Sequence, residues 1–189
     1  YALSSHFQGT PYDPYERSGD GLQKGKYRAI GINRNDFLAL IQMRPGAPAN
    51  CQAVQWLAFA SNAFNTLVPF YAAVDETPEY LANTTKEVST ENFYWSARMI
   101  AAMADASFAK SAIHIERYQN AVQAKGRALL RKYDAEAAKI TDPAESRRLL
   151  EKANREIAKM LKEETGNTLD HVLFELSNSM KNAFSRSDA

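Results

Sequence analysis

The first half of the chain carries short apolar runs that are separated by turn-forming residues. Six of the seven prolines fall within the first 78 residues, and proline interrupts regular structure by fixing φ and removing a backbone donor. The runs are of strand length and are bounded by Gly, Pro, Asn or Asp. They lie at residues 28–32, 37–43, 53–60 and 67–74. We therefore predict strands of an antiparallel sheet in this half.

From Thr90 onward the spacing of apolar residues changes from about two to about 3.6, which is the period of an amphipathic helix. A first helix is predicted to begin here, with Ser89 or Thr90 as its N-cap. A second is predicted over residues 110–138, where an apolar stripe continues at helical spacing.

Two further helices are predicted after residue 141. Asp142 can cap the third helix, and Pro143 has the φ that a first helical turn requires. Gly166 is predicted to end it as a C-terminal glycine in the left-handed conformation. Asn167 is then predicted to cap a fourth helix, so that the last 100 residues are nearly all helical.

The two halves together predict an α+β fold. Residues 1–88 are expected to form the strand-rich part, and residues 89–189 a helical region that packs on the sheet. The helical stripes are also able to serve contacts between copies of the chain.

Composition and charge narrow the classes of function. The 189 residues include 23 Lys and Arg against 22 Asp and Glu, a formal charge of +1, so no global field favours nucleic acid or an anionic membrane. No apolar stretch reaches the length of a membrane span, and the first residues lack a signal-peptide pattern. The single cysteine excludes an intramolecular disulfide and suits a reducing compartment. We therefore expect a cytoplasmic protein.

Residues that could carry chemistry are sparse. His6, His114 and His171 are far apart and have no partners at metal-ligand spacing, so no metal site or cofactor is expected. Cys51 has no local base. One hypothesis is that cleavage between Asn50 and Cys51 exposes an N-terminal cysteine whose own α-amine serves as the base. The alternative is an unreactive cysteine buried at a strand edge.

Two polar segments remain open to more than one interpretation. Residues 7–15 hold Thr10, Tyr12 and Asp13 beside two prolines, which is compatible with a ligand-facing loop or with a structural turn. Asn62 and Asn65 follow the run at 53–60, where their amides could enter a cleft or make turn hydrogen bonds.

Several strings in order resemble the C-terminal half of bacterial dipeptidases of peptidase family C69. They are HFQGTPYDPY at 6–15, VQWLAF at 54–59, PFY at 69–71, DETP at 75–78 and STENFYW at 89–95. Residues 100–105 and 115–118 agree as well. The resemblance covers roughly residues 1–120, and the later helices agree in character more than in motif.

This resemblance implies an N-terminal-nucleophile hydrolase of αββα architecture, which needs no metal or cofactor. Its mature N-terminal cysteine would attack the amide of an unblocked dipeptide, with its own α-amine as the base. The chain opens on Tyr1, and Cys51 lies too deep in the sequence to match that nucleophile. We therefore expect the nucleophile upstream, in the N-terminal part of the same enzyme, and expect this chain alone to be inactive.

The resemblance also suggests substrate-binding residues. Thr10, Tyr12 and Asp13 lie in its best-matching string, and Arg34 is a candidate for binding a charged substrate terminus or for an orienting ion pair. Two alternatives remain open at this point. One is a related acyl-amide hydrolase of the penicillin or bile-salt acylase type, and the other is a non-catalytic helical interaction protein.

Overall fold

The computed structural model describes Tyr12, Lys26, Tyr27 and residues 35–180. In chain order its elements are β1 (Phe37–Met43), a 3-10 turn (Ala49–Cys51), β2 (Ala53–Phe59), β3 (Val68–Tyr71), α1 (Glu79–Ala82), α2 (Phe93–Ala106), α3 (Phe108–Ala137) and α4 (Pro143–Ser177). Strands precede helices, so the predicted α+β class is confirmed.

The three described strands form one antiparallel sheet in the order β1-β2-β3. In its register Trp56 of β2 lies opposite Leu40 of β1 and Pro69 of β3. The predicted strands at 37–43 and 53–60 are confirmed, and the one at 67–74 is shorter than expected because Ala72 makes the last ladder hydrogen bond, to Ala53. The predicted strand at 28–32 lies outside the described residues.

The long helices α3 and α4 pack side by side in opposite directions. Tyr118 Oη lies 2.9 Å from Thr165 Oγ1, and Lys110 near the start of α3 donates to Ser179 just past the end of α4. Their facing stripes bury large apolar side chains, namely Ile115, Val122, Leu130, Leu150, Ile157, Leu161 and Val172. Among the described residues, no helix has both the length and the apolar composition that spanning a bilayer requires.

Helix α2 begins later than predicted. Its N-cap is Asn92, whose Oδ1 accepts a hydrogen bond from the Trp95 amide at 2.9 Å. The predicted cap at Ser89 or Thr90 is wrong because Ser89 Oγ instead accepts from the Glu91 amide and closes a local turn. The short helix α1, which buries Tyr80 and Leu81, was not predicted.

The predicted break at Gly166 is also wrong, because α4 runs without interruption from Pro143 to Ser177. The start was predicted correctly: Asp142 Oδ2 accepts from the Glu145 amide at 3.0 Å. A glycine inside a helix costs only about 1 kcal/mol relative to alanine. Burial of Leu161, Thr165 and Val172 on either side of it outweighs that cost.

Gly126 in α3 is needed for close approach between helix and sheet. A Cβ atom at this position would lie 2.8 Å from Cδ and 3.0 Å from Cγ of Pro69 in β3. Such a distance is well inside van der Waals contact, and the proline ring is closed onto its own backbone, so it cannot swing aside as the end of a flexible side chain could. The glycine therefore sets how near α3 lies to the sheet.

The two helical glycines give opposite predictions for the same substitution. Gly126→Ala is expected to lower the free energy of unfolding by about 1–3 kcal/mol, as overpacking does. Gly166→Ala, with nothing within 4 Å of the new methyl group, is expected to raise it by about 0.5–1 kcal/mol through helix propensity. Urea denaturation of both variants measures the difference. Equal effects of the two substitutions would contradict the close approach at Pro69.

Candidate functional site

A polar network lies between the sheet and α3. Its centre is Asp134, whose carboxylate accepts from both terminal nitrogens of Arg44: Nη1 to Oδ2 is 2.7 Å and Nη2 to Oδ1 is 3.0 Å. Tyr71 Oη lies 2.9 Å from Asp134 Oδ1 and also 2.9 Å from the Leu130 carbonyl oxygen. Bidentate pairing of this kind fixes both position and orientation.

The sequence places these side chains at element boundaries. The Arg44 amide continues the β1–β2 ladder by donating to the Gln52 carbonyl at 2.8 Å, so the arginine is held where the strand ends. Its guanidinium lies 5.7 Å from the centroid of the Tyr71 ring and donates to the Cys51 carbonyl. Asp134 follows Leu130 by four residues, which puts it on the buried face of α3.

Helix α4 contributes Asn154, which is 2% exposed. Its Oδ1 accepts from the Tyr71 amide at 2.9 Å, and its Nδ2 donates to the Tyr71 carbonyl at 3.0 Å. One side-chain amide thus satisfies both backbone groups of a β3 residue, as a neighbouring strand would. The outer edge of β3 is closed at this point.

Cys51 is held in a form unsuited to nucleophilic attack. The residue has no exposed surface. Burial, followed by the nearby Asp134 carboxylate, raises the pKa of its thiol to about 11. Its amide donates to Pro48 at 2.7 Å within the 3-10 turn. The thiol is therefore protonated near neutral pH, and the geometry opposes the hypothesis of cleavage before Cys51.

The phenol of Tyr71 is also neutral in ordinary conditions. Burial raises its pKa far above the usual value, and the Asp134 carboxylate adds to the effect. The network thus combines one permanent ion pair with a neutral thiol and a neutral phenol. We interpret it as a structural network that holds the sheet against the helices, since neither the thiol nor the phenol is ready to lose a proton.

Of the predicted substrate-binding residues, only Tyr12 is described. It is half-buried, and its ring packs edge-on against that of Tyr27 at a centroid distance of 5.1 Å. Thr10, Asp13 and Arg34 lie outside the described residues. Their roles in binding stay predictions.

Asn65, the second of the two asparagines that follow β2, makes turn hydrogen bonds. Its Nδ2 donates to the Ala60 carbonyl at 2.9 Å, and its own carbonyl accepts from Gln119 Nε2 on α3 at 2.9 Å. Ala60 has a φ of 64°, a left-handed value that costs a non-glycine residue about 1 kcal/mol or more. The turn alternative therefore describes Asn65.

A groove of about 490 Å³ lies between residues 76–80 and α4. Its walls mix opposite charges, and Arg155 Nη1 lies 3.4 Å from Glu76 Oε2 with both side chains mostly exposed. Such pairs are solvated and bind little by themselves. Within the described part of the chain, no three His, Cys, Asp or Glu side chains come together in a metal-binding arrangement.

Sequence analysis missed the network, although part of it left a signal. Asp134 and Asn154 are polar residues at positions where the apolar stripes of α3 and α4 require burial. A polar side chain on a buried helical face needs a hydrogen-bonding partner. That signal marks both residues, but it does not identify Arg44 and Tyr71 as their partners.

The comparison with known families agrees with the resemblance. Residues 1–121 match the sequence profile of Peptidase family C69. With an α+β fold and a match over most of its length, the chain belongs to this family.

Individual relatives agree over a longer stretch. All of the chain aligns with the Dipeptidase of Bifidobacterium longum at 41% identity, and with Probable dipeptidase A of Streptococcus pyogenes serotype M3 at 41% identity. Dipeptidase A of Lactobacillus helveticus is 42% identical over 57% of the chain. The chain spans 42% of the length of the first relative and 39% of the second, and matches a C-terminal part of them.

The network predicts the effect of neutralising Asp134. Asp134→Asn keeps the shape but leaves the Arg44 guanidinium, only 18% exposed, without its counter-charge. We expect the free energy of unfolding to fall by about 2–3 kcal/mol. Glu76→Gln, which breaks the exposed pair with Arg155, is the matched control and should cost less than about 1 kcal/mol. Urea denaturation curves that moved equally for both variants would show that the network does not stabilise the packing of the sheet against the helices.

The raised pKa of Cys51 predicts slow alkylation. At pH 8 iodoacetamide should label Cys51 in the unfolded chain much faster than in the folded one, because the folded thiol is buried and protonated. Since the folded pKa is the higher one, folding stability that depends on this group is present below about pH 9 and is lost as pH rises toward 11. Mass spectrometry of the labelled chain gives the rate. Rapid labelling at neutral pH in the native state would contradict this account.

Proposed function

We propose that this chain provides the C-terminal portion of a cysteine-type dipeptidase that hydrolyses unblocked dipeptides. The observation that carries the proposal is the 41% identity of the whole chain to a protein named Dipeptidase, together with membership in a peptidase family. The chain spans less than half of that relative. Activity is therefore proposed for the chain combined with the remaining portion of the polypeptide.

The nucleophile is proposed to lie in that remaining portion. Cys51 is the only cysteine of this chain, and its buried thiol has a raised pKa. The proposed nucleophile is a cysteine at a mature N-terminus, with its thiol attacking the amide carbon and its α-amine accepting the proton. Donors from the protein would stabilise the oxyanion.

Substrate binding is proposed for Thr10, Tyr12, Asp13 and Arg34. A free dipeptide ends in a carboxylate, and a guanidinium binds a carboxylate through two parallel hydrogen bonds. Arg34 suits that role by its chemistry. Thr10, Tyr12 and Asp13 would offer hydroxyl and carboxylate groups to the dipeptide's polar atoms and its α-amine.

The three-stranded sheet and the helices beside it are proposed to be one part of a two-sheet αββα hydrolase. Residues 1–88 would contribute strands, and residues 89–189 the helices that pack on them. The antiparallel pairing of β1 to β3 supports this arrangement, as does the packing of α3 and α4 on β3.

A chimera tests the function. In it, the matched part of the Bifidobacterium longum dipeptidase is replaced by these 189 residues. We expect the chimera to hydrolyse unblocked dipeptides, whereas the 189-residue chain alone should not. Cys51→Ala should leave kcat/KM within about twofold, and alkylation of that variant should still abolish hydrolysis, because the reactive thiol lies elsewhere.

Control variants and alternative substrates distinguish this proposal from the other functions. Arg34→Lys should raise KM about tenfold through loss of the bidentate contact, whereas Arg148→Lys on the exposed face of α4 should change nothing. Preference for N-acylated substrates would indicate an acyl-amide hydrolase instead. Hydrolysis by the pure 189-residue chain that stops when Cys51 is alkylated would overturn the proposal.

A further inference from the structure

The groove between residues 76–80 and α4 carries charges of opposite sign on its two walls. It encloses about 490 Å³, a volume typical of small-ligand sites. Residues 76–80 contribute Glu76 and Glu79 to one wall. The other wall presents three bases at positions i, i+4 and i+7, which share one face of α4; they are Arg155, Lys159 and Lys162. We call this site the charged groove.

The charges of the groove balance. Among the described residues that line it, Glu151 is a third acid, so that three carboxylates stand against three cations. A simple anion or a simple cation would meet groups of its own sign here, whereas a neutral molecule with separated charges complements both walls. The charge pattern therefore favours a zwitterion.

The ion pairs of the groove leave one charged group on each wall without a partner. Arg155 is paired with Glu76 at 3.4 Å, and Lys162 is paired at 2.7 Å with a glutamate outside the lining. Among the described residues, neither Lys159 nor Glu79 has an oppositely charged atom within 4 Å. A cation and an anion that line one groove without touching each other leave a gap that a ligand with both charges can bridge.

The wall formed by residues 76–80 is held in place by the core. Tyr80 and Leu81 of the short helix α1 are both buried, so the groove is formed before any ligand enters. The ammonium group of Lys162 lies 5.9 Å from the centroid of the Tyr80 ring. Tyr80, Pro78 and Ala158 give the lining an apolar part, which suits the side chain of a hydrophobic amino acid.

We propose that the charged groove binds a free amino acid or an unblocked dipeptide, with the α-ammonium group at Glu79 and the carboxylate at Lys159. From Arg155 to Lys162 the helical wall is about 10 Å long, at about 1.5 Å per residue. A dipeptide extends over at most about 7 Å, so it fits within that length. The inference rests on the proposed function only in its choice of zwitterion, because dipeptides and amino acids are the substrates and products of the proposed hydrolysis.

Ligands that lack one charge test the proposal without altering the protein. Isothermal titration calorimetry compares leucine and leucyl-leucine with N-acetyl-leucine, which has no ammonium group, and with leucinamide, which has no carboxylate. Both zwitterions should bind the 189-residue chain, and also the chimera described above after its reactive thiol has been alkylated. Each blocked analogue should bind at least tenfold more weakly, because it leaves one wall without a counter-charge. The tighter of the two zwitterions identifies the ligand as product or substrate.

Substitutions test each wall of the groove. Lys159→Gln and Glu79→Gln should each weaken the binding of leucyl-leucine about tenfold. Lys152→Gln and Glu87→Gln are the matched controls, since neither residue lines the groove, and should leave the affinity within about twofold. All four side chains are exposed, so equal melting temperatures are expected and would show that each variant is folded.

Several outcomes would overturn the proposal. Absence of binding by both zwitterions, or equally tight binding of a blocked analogue, would show that the two walls do not recognise a zwitterion. Unchanged affinity in Lys159→Gln and Glu79→Gln would place the ligand elsewhere on the protein. Tighter binding of phosphoethanolamine than of leucine or leucyl-leucine would exclude amino acids and dipeptides as the preferred ligands.

The same measurements separate this proposal from the proposed function. A chimera that hydrolyses leucyl-leucine, but whose alkylated form binds it equally well with and without Lys159→Gln, would leave the proposed function intact and exclude the charged groove as a site. Binding that Lys159→Gln weakens, in a chimera that hydrolyses no dipeptide, would support the groove and contradict the proposed function.

Discussion

The paired contact between Arg44 and Asp134 is the constraint on which the rest of the described structure depends. The two residues are 90 positions apart in the chain, and they join the end of β1 to the last turn of α3. Removing two charges from water is costly unless both are fully hydrogen-bonded. The Tyr71 hydroxyl and the Cys51 carbonyl add further hydrogen bonds to the pair, which fix the position of the sheet against α3, while Arg44 Nε is buried without a hydrogen-bond partner among the described residues.

Local patterns predicted most of the secondary structure. The strands at 37–43 and 53–60 and the cap at Asp142 follow from alternation and from capping chemistry that a short stretch of sequence contains. The predicted helix end at Gly166 was wrong for the opposite reason. Glycine favours a helix end by residue type, but the tertiary burial of Leu161 and Val172 keeps α4 continuous. The start of α2 depended on which of several polar residues took the capping position, and composition alone does not rank them.

The network was less predictable because its partners come from distant segments. Asp134 and Asn154 could be recognised as polar residues on buried faces, but the pairing with Arg44 and Tyr71 follows only from the packing of α3 and α4 on β3. Cys51 illustrates the same limit. Its sequence context left a choice between a reactive and a buried thiol, and only the folded position of the residue, buried and close to the Asp134 carboxylate, accounts for a pKa of about 11. Membership of the family was indicated by several short strings in the same order along the sequence, and not by any single buried contact.

The Asn154 amide has a consequence for the order in which the chain can assemble. It completes the hydrogen bonding of Tyr71 from 83 residues further along the sequence, so β3 keeps an open backbone edge until α4 has been synthesised and has docked. Contacts of such long sequence separation form late and slow folding. During synthesis on the ribosome the β3 edge of the nascent sheet would thus be unprotected, and α4 covers it once the helix has docked.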